Sequence, residues 1–171
     1  MFSKLIINTP LGPLAAVSDR SHLHLLGFED SPKTQKTLGQ FGSNFSNDSL
    51  APIRKIRDEL GQFFAGELVT FSVPLAFSGT PFQESVWLAL RDIEYGTTCS
   101  YQELAQSVGR PKAYRAAASA NGANRFVIVV PCHRVIGSDG GLGGFSCGLE
   151  RKVWLLEHER NSLTRRMTRG S

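Results

Sequence analysis

The hydrophobic positions in the first half of the chain follow two different spacings. Short apolar runs bounded by turn residues predict three strands, at residues 5–7, 14–17 and 22–28. After Pro52, apolar side chains recur every three or four residues as far as Phe64, and Gly66 follows as a helix-ending residue. We therefore expect residues 1–79 to form a small α/β domain with a short β-sheet.

The second half opens with helical spacing and clear helix starts. Capping boxes at Thr80-Pro81-Phe82-Gln83 and Ser100-Tyr101-Gln102-Glu103 predict two helices, and Pro111 opens a third that is rich in alanine. A short helix, a turn containing glycine and a second helix are typical of a helix-turn-helix, which serves either to bind DNA or simply to pack. We place this second domain at residues 80–160, which makes the fold class α+β.

Composition restricts the class of protein and its compartment. The 171 residues are 41% hydrophobic and 20% charged, which is typical of an ordinary globular protein. No apolar run is long enough to span a membrane and no signal sequence is evident, so we expect a cytoplasmic location. Three scattered cysteines predict reduced thiols and no metal site. Residues 161–171 lack a clear repeat and are expected to be a flexible tail, or residues introduced by cloning.

The positive charge is concentrated in the second half. The net charge is +4, and five basic residues but no acidic one lie between Leu104 and Ser138. A segment that carries only positive charges is suited to bind a polyanion such as DNA, because each phosphate contact releases condensed counterions. A solvated basic surface is the alternative.

A cysteine and a histidine follow the most apolar run of the chain. Residues 126–130 carry no charge and predict a buried strand or core segment, which Pro131 ends before Cys132 and His133. This pair suits either a nucleophile with its base or a packed structural cysteine. Neighbouring side chains on an extended chain point in opposite directions, so a contact between thiol and imidazole requires a turn or a bridging water.

The alanine-rich helix after Pro111 lacks the long side chains that read base edges. Its small residues permit close approach to a duplex, and Arg115 is the one long cation within this surface. The alanines also suit packing against a neighbouring helix, and both uses are compatible if they fall on different faces.

The second half closely resembles the O6-alkylguanine-DNA alkyltransferases, also called methylated-DNA–protein-cysteine methyltransferases. The match covers nearly half of the chain in order, and the block around Cys132 is highly specific. The matching stretches are Ser100-Tyr101, Lys112 to Ala116, Ala120 to Asn124, Pro131 to Gly137, Phe145-Ser146 and Lys152 to Glu159. The resemblance implies an N-terminal α/β domain joined to a helical, winged helix-turn-helix domain that carries the active site.

The resemblance also implies a chemistry for each matching residue. Cys132 is the acceptor of an alkyl group from O6 of guanine in duplex DNA, and O4-alkylthymine is a second candidate substrate. His133 takes the thiol proton through a water, and Glu159 orients His133. Tyr101 is the proton donor to the leaving guanine, and Asn124 links the DNA-binding helix to the active-site segment.

The family flips the damaged base out through the minor groove, and Arg115 corresponds to the residue that fills the vacated space. A thioether product is stable, so each molecule is expected to act once. We expect a monomer without cofactor or metal, and the sequence leaves cooperative binding along DNA open. Further contacts to DNA or to the base are implied for Lys112, Ala116, Ser119, Arg134, Val135 and Ser146.

Three positions depart from the family pattern. Phe145 replaces a common tyrosine, Cys147 replaces a small glycine, and Arg125 replaces a proline. Cys147 is expected to narrow the pocket against bulky alkyl groups. Two other functions are alternatives. One is a lesion-binding relative, but such relatives lack the acceptor cysteine, so Cys132 argues against it. The other is a cysteine hydrolase, which would not need the basic helix-turn-helix.

Overall fold

The structure is a computed structural model that describes residues 1–145 and 147–169. Residue contacts divide the chain into an N-terminal unit, residues 1–77 with 125–127, and a C-terminal unit, residues 78–124 with the chain from Ile128 onward. The elements are β1 (Ser3–Ile7), β2 (Leu14–Ser18), β3 (Leu23–Phe28), α1 (Pro32–Gly39), α2 (Ala51–Phe64), α3 (Pro81–Arg91), β4 (Cys99–Ser100), α4 (Tyr101–Ser107), α5 (Tyr114–Gly122), β5 (Val135–Ile136) and α6 (Leu149–Arg169).

The N-terminal unit is built on an antiparallel sheet in the order β1-β2-β3, so the three predicted strands are present. Ile7 lies opposite Leu14, and Leu14 lies opposite Phe28. Every residue of β2 is buried, as expected for a central strand. Helix α2 packs on β1 and β2 through an apolar face at helical spacing, formed by Ile53, Ile56, Leu60 and Phe63.

Residues 125–127 return to this unit from the second half of the chain. The backbone N–H of Leu26 donates to the carbonyl of Arg125 (2.8 Å), and the N–H of Val127 donates to the carbonyl of Leu26 (3.0 Å). Residues 126–130 are all buried, but only Phe126 forms a bridge and the rest is a turn. The apolar run is therefore a core segment rather than a regular strand.

Both predicted capping boxes open helices in the C-terminal unit. Thr80 caps α3 with Gln83, and Ser100 caps α4 with Glu103. Helices α3, α4 and α5 pack against one another, and the indole N–H of Trp87 donates to the carbonyl of Ala120 (2.8 Å). Strands β4 and β5 pair in parallel over two residues each.

Helix α6 continues to Arg169, so residues 161–169 are helical where the sequence predicted a flexible tail. The buried face of the helix extends past the expected boundary through Ser162, which is 1% exposed. Leu163 packs closely over Gly96, where a Cβ atom would lie 2.8 Å from the leucine methyl group. A serine at a buried position breaks the apolar repeat, so the sequence pattern hides this part of the helix. None of the helices in the described part of the chain combines the length and apolar character that crossing a membrane requires.

Candidate active site

A tight turn brings Cys132 and His133 into the C-terminal core. Ile128 has φ of 73°, a left-handed conformation that is strained for a β-branched residue. Pro131 then leads into a 3₁₀ turn over Cys132–Arg134, and all three residues of this turn are buried. This is the turn that the adjacent thiol and imidazole require in order to reach different partners.

A buried carboxylate connects the two basic residues of the turn. Nε2 of His133 lies 2.6 Å from Oε2 of Glu159, and both side chains are fully buried. Arg134 donates from Nε to Oε1 of Glu159 (2.8 Å) and from Nη2 to Oε2 (3.0 Å). Glu159 therefore accepts hydrogen bonds from both residues, with the arginine in the forked geometry that favours carboxylates.

This arrangement corrects the sequence interpretation of Arg134 as a contact to DNA. Arg134 is 6% exposed, and its Nη1 donates to the carbonyl of Ile93 (2.7 Å). Its guanidinium also lies 5.6 Å from the ring centroid of Tyr95. With its donors engaged inside the protein, Arg134 is not available to a ligand on the surface.

The charges of the cluster follow from its burial. Burial alone would raise the pKa of Glu159, but the contacts with His133 and Arg134 outweigh it and lower the pKa to about 2. Burial lowers the pKa of His133, despite the opposing effect of Glu159. At neutral pH the site therefore holds an ionised Glu159, a charged Arg134 and a neutral His133.

The neutral imidazole has a defined acceptor. An ionised carboxylate only accepts hydrogen bonds, so Nε2 of His133 carries the hydrogen and Nδ1 carries a free lone pair. Nδ1 is buried and makes no hydrogen bond within the described residues. This nitrogen can accept a proton, as the role predicted for His133 requires.

Cys132 borders a cavity of about 550 Å³ in the C-terminal unit. The thiol residue is 4% exposed, so the cavity gives it limited access to the outside. The lining residues are Tyr101, Ala118, Asn121, Gly122, Cys132, Gly144 and Phe145. The volume is within the range of small-molecule sites, and a single nucleobase fits such a space.

Tyr101 is placed at this cavity by the start of α4, directly after the Ser100 cap. Burial raises the pKa of Tyr101, and the nearby Cys132 raises it further, so the phenol keeps its proton. Gly143 has φ of 65°, and a Cβ atom there would lie 3.2 Å from the phenol oxygen. A glycine is therefore needed where the loop passes over Tyr101.

Lys152 anchors the same loop and was given no role by the sequence analysis. Its Nζ donates to the carbonyls of Val135 (2.6 Å) and Leu142 from a buried position on α6. Burial lowers its pKa, and the nearby Cys132 opposes that shift. In the sequence, Lys152 falls on the same helical face as Leu155 and Leu156. A lysine on an apolar helix face was the signal that could have identified its buried role.

Helix α5 uses its two faces differently, as the alanine pattern suggested. Ala117 and Ala120 are buried. The predicted DNA-contacting side chains on and just before α5, namely Lys112, Arg115, Ala116 and Ser119, are exposed. The guanidinium of Arg115 lies 5.8 Å from the ring centroid of its neighbour Tyr114.

Of the remaining predicted residues, Asn124 and Val135 are buried near the cysteine segment. Nδ2 of Asn124 donates to the carbonyl of Val130 (2.9 Å), which connects the end of α5 to the residues before Cys132. The Val135 carbonyl accepts from Lys152. The predicted role of Ser146 lies outside the described residues.

Comparison with known families gives matches on both halves of the chain. Residues 3–77 match the ribonuclease-like domain of 6-O-methylguanine DNA methyltransferase, and residues 81–161 match the DNA-binding domain. The chain belongs to this family. The resemblance inferred from the sequence is thereby confirmed.

Individual relatives match over nearly their whole length. A methylated-DNA–protein-cysteine methyltransferase of Methanosarcina barkeri is 41% identical, with 92% of this chain and 97% of the relative covered. The crystal structure of an O6-methylguanine methyltransferase of Mycobacterium tuberculosis has a TM-score of 0.83 at 40% identity, covering 95% and 94% of the two chains. Another, of Mycobacterium tuberculosis OGT in complex with DNA, has a TM-score of 0.82 at 38% identity, covering 94% and 93%.

Proposed function

We propose that this protein repairs DNA by moving a methyl or larger alkyl group from O6 of guanine to Cys132. The observation that carries this proposal is the cavity that Cys132 shares with Tyr101, together with the hydrogen bond between Glu159 and His133, the residue after Cys132. The family membership supplies the substrate class.

His133 is the proposed base for Cys132. A thiolate attacks carbon far better than a thiol, so the proton on sulfur has to leave. Nδ1 of His133 is the free acceptor, and a bridging water carries the proton to it. The imidazolium that forms is stabilised by Glu159, which holds Nε2 at 2.6 Å.

The transfer step forms one bond and breaks one. The sulfur of Cys132 bonds to the alkyl carbon while the bond from that carbon to O6 breaks, and the electron pair passes into the guanine ring. The leaving guanine anion needs a proton. Tyr101, whose raised pKa keeps its hydroxyl protonated until that moment, is the proposed donor.

The target base has to leave the duplex to reach Cys132, because the thiol lies in a cavity rather than on the surface. The exposed face of α5 suits the minor groove, since Ala116 and Ser119 let the helix backbone come close. Arg115 is exposed and long enough to fill the space that the flipped base leaves. Lys112 adds a phosphate contact.

All the groups named here come from one chain, so we infer that the protein acts on duplex DNA as a monomer. The product is a thioether, which has no carbonyl for water to attack. Each molecule is therefore consumed by one transfer.

Counting transferred methyl groups tests this proposal. A duplex with one radiolabelled O6-methylguanine is mixed in tenfold excess over protein, and the label on protein is followed to completion. We expect the label to reach one methyl per protein molecule and stop, and Cys132→Ser to take up none. Continued turnover, or binding without transfer, would contradict the proposal. Cys147→Ser is the matched control and is expected to retain full transfer.

A further inference from the structure

The cavity contains a buried acceptor that the proposed chemistry does not use. Asn121 lines the cavity from the last turn of α5 and is 6% exposed. Its Oδ1 makes no hydrogen bond within the part of the chain that the structure describes. A buried amide oxygen without a partner is destabilising, so a hydrogen-bond donor on a bound ligand would stabilise the site.

The amide nitrogen of Asn121 fixes the orientation of the side chain. Nδ2 of Asn121 donates to the backbone carbonyl of Cys132 through a long hydrogen bond of 3.4 Å. This contact distinguishes the amide nitrogen from the oxygen and leaves the oxygen as the group without a partner. Asn121, which carries the unpaired oxygen, therefore contacts the backbone of the residue that carries the thiol.

The two candidate bases differ in the N–H donors that they offer to such an acceptor. O6-alkylguanine has no hydrogen on N1, so its 2-amino group is the only N–H donor that the base offers. O4-alkylthymine has no hydrogen on N3 and offers no N–H donor. An acceptor in the pocket can therefore pair with the first base and with no group of the second.

We propose that Asn121 is a specificity-determining residue that accepts a hydrogen bond from the 2-amino group of the flipped guanine. This proposal rests on the proposed function and deepens it, because it makes O6-alkylguanine the preferred substrate over O4-alkylthymine. A site built to pair with a donor discriminates strongly against an analogue that lacks it, since the buried oxygen then stays unsatisfied.

The test compares duplexes that differ only in the 2-amino group. Single-turnover rate constants for methyl transfer are measured with O6-methylguanine and with O6-methylhypoxanthine in one sequence context, and O4-methylthymine is added as a third duplex. We expect the wild-type protein to prefer O6-methylguanine over O6-methylhypoxanthine by about 10- to 100-fold. O4-methylthymine is expected to react more slowly than O6-methylguanine.

The decisive variant is Asn121→Leu, which keeps the branched shape of the side chain without the amide. We expect its rate to fall about 10- to 100-fold more on O6-methylguanine than on O6-methylhypoxanthine, so that the preference disappears. Thermal unfolding of the variant, measured alongside, checks that it is folded. Asn161→Leu, the same change at an exposed position of α6, is the matched control and is expected to keep the full preference.

Two results would overturn the inference while leaving the proposed function intact. One is an Asn121→Leu variant that keeps the wild-type preference. The other is an equal fall in rate on both duplexes, which would assign Asn121 only to holding the Cys132 backbone. Failure of the wild-type protein to take a methyl group from either duplex would instead overturn the proposed function, and this inference with it.

Discussion

Burial is the main reason that the pKa of His133 is lowered, and the charge of Arg134, which shares Glu159 with His133, adds to it. A buried carboxylate that faced His133 alone would favour an imidazolium, because the carboxylate would need a counter-charge. Arg134 supplies that charge through two hydrogen bonds. His133 can then remain neutral and accept the proton of Cys132. Arg134 is therefore a positioning residue that acts through Glu159.

Replacing Arg134 with Met is expected to change the pH dependence of methyl transfer. Without the arginine charge, the pKa of His133 rises, so the loss of transfer on acidification begins at a higher pH than in the wild-type protein. The variant is also expected to lose about 3 kcal/mol of stability, because a buried pair is broken. A profile of single-turnover rate against pH, with denaturant unfolding alongside, measures both effects.

Arg160→Met is the control, because Arg160 follows Glu159 on α6 but is exposed. It is expected to leave the rate profile unchanged. A profile for Arg134→Met that has the wild-type midpoint and only a lower rate would contradict the role given to Arg134.

The same two groups predict how the free energy of unfolding depends on pH. Folding lowers the pKa of His133 below its ordinary value of 6.5, so the unfolded chain takes up this proton first as the pH falls. Glu159 has a pKa of about 2 in place of 4.5 and is likewise protonated first in the unfolded chain. We expect stability to be full above pH 6.5, to fall as His133 titrates in the unfolded chain, and to fall further between 4.5 and 2.

Urea unfolding at a series of pH values measures this dependence, and His133→Asn is the comparison. The variant lacks the first titrating group, so it is expected to lose the decline that begins near pH 6.5 and to keep the decline below 4.5. A wild-type protein whose stability rises as the pH falls below 6.5 would contradict a buried, neutral His133.

Among the secondary-structure elements, the two capping boxes are expected to differ in what their loss does to methyl transfer. Thr80 and Ser100 each accept a hydrogen bond from the backbone of the third helical residue. Replacing either by Ala is expected to lower stability by about 1 kcal/mol. Ser100 also lies next to Tyr101 and in β4, so its loss is expected to displace the phenol as well.

We therefore expect Ser100→Ala to slow methyl transfer roughly five- to tenfold through misplacement of Tyr101. Thr80→Ala is expected to leave the transfer rate unchanged at a similar loss of stability. Single-turnover rates and thermal unfolding of the two variants measure this difference. Equal rates in both variants would show that the Ser100 cap serves stability alone.

The elements that the sequence predicted well are those with local signals. Both capping boxes, the strands of the first half and the turn glycine Gly66 depend on neighbouring residues, and the structure contains all of them. The course of α6 past residue 160 was missed, because its buried positions there include Ser162. Helix α5 begins at Tyr114 rather than directly after Pro111, because residues 111–113 form a turn.

Partners that are distant in the sequence explain the other differences between the predictions and the structure. The family resemblance implied a DNA contact for Arg134, which also lies in a basic segment without acidic residues. Its partner Glu159 is 25 residues away, and no local pattern connects them. The sequence places Asn121 in a matching motif but indicates no role for it. Only the structure shows that its amide oxygen is buried and makes no hydrogen bond within the described residues.

For the molecule as a whole, the positive charge is expected to favour binding to DNA. The net charge is +4, and Lys112 and Arg115 are exposed within the segment that has no acidic residue. Binding to unmodified duplex is expected to weaken as salt increases, with a linear relation between the logarithms of affinity and salt concentration. Lys112→Ala is expected to lower the slope by about one, because one phosphate contact is lost.

Fluorescence anisotropy with a labelled duplex at several salt concentrations measures this slope. Lys36→Ala removes an exposed lysine from α1 and is the matched control, for which we expect the wild-type slope. Equal slopes for Lys112→Ala and the wild-type protein would remove Lys112 from the DNA-binding surface.

The central claim is that one thiol accepts the alkyl group and keeps it. The most direct measurement is peptide mapping by mass spectrometry after reaction with a duplex that carries O6-trideuteromethylguanine. We expect one trideuteromethyl group per molecule, located on Cys132, with guanine restored in the DNA. A label on Cys99 or Cys147, or a label that remains on the DNA after the protein has bound, would contradict it.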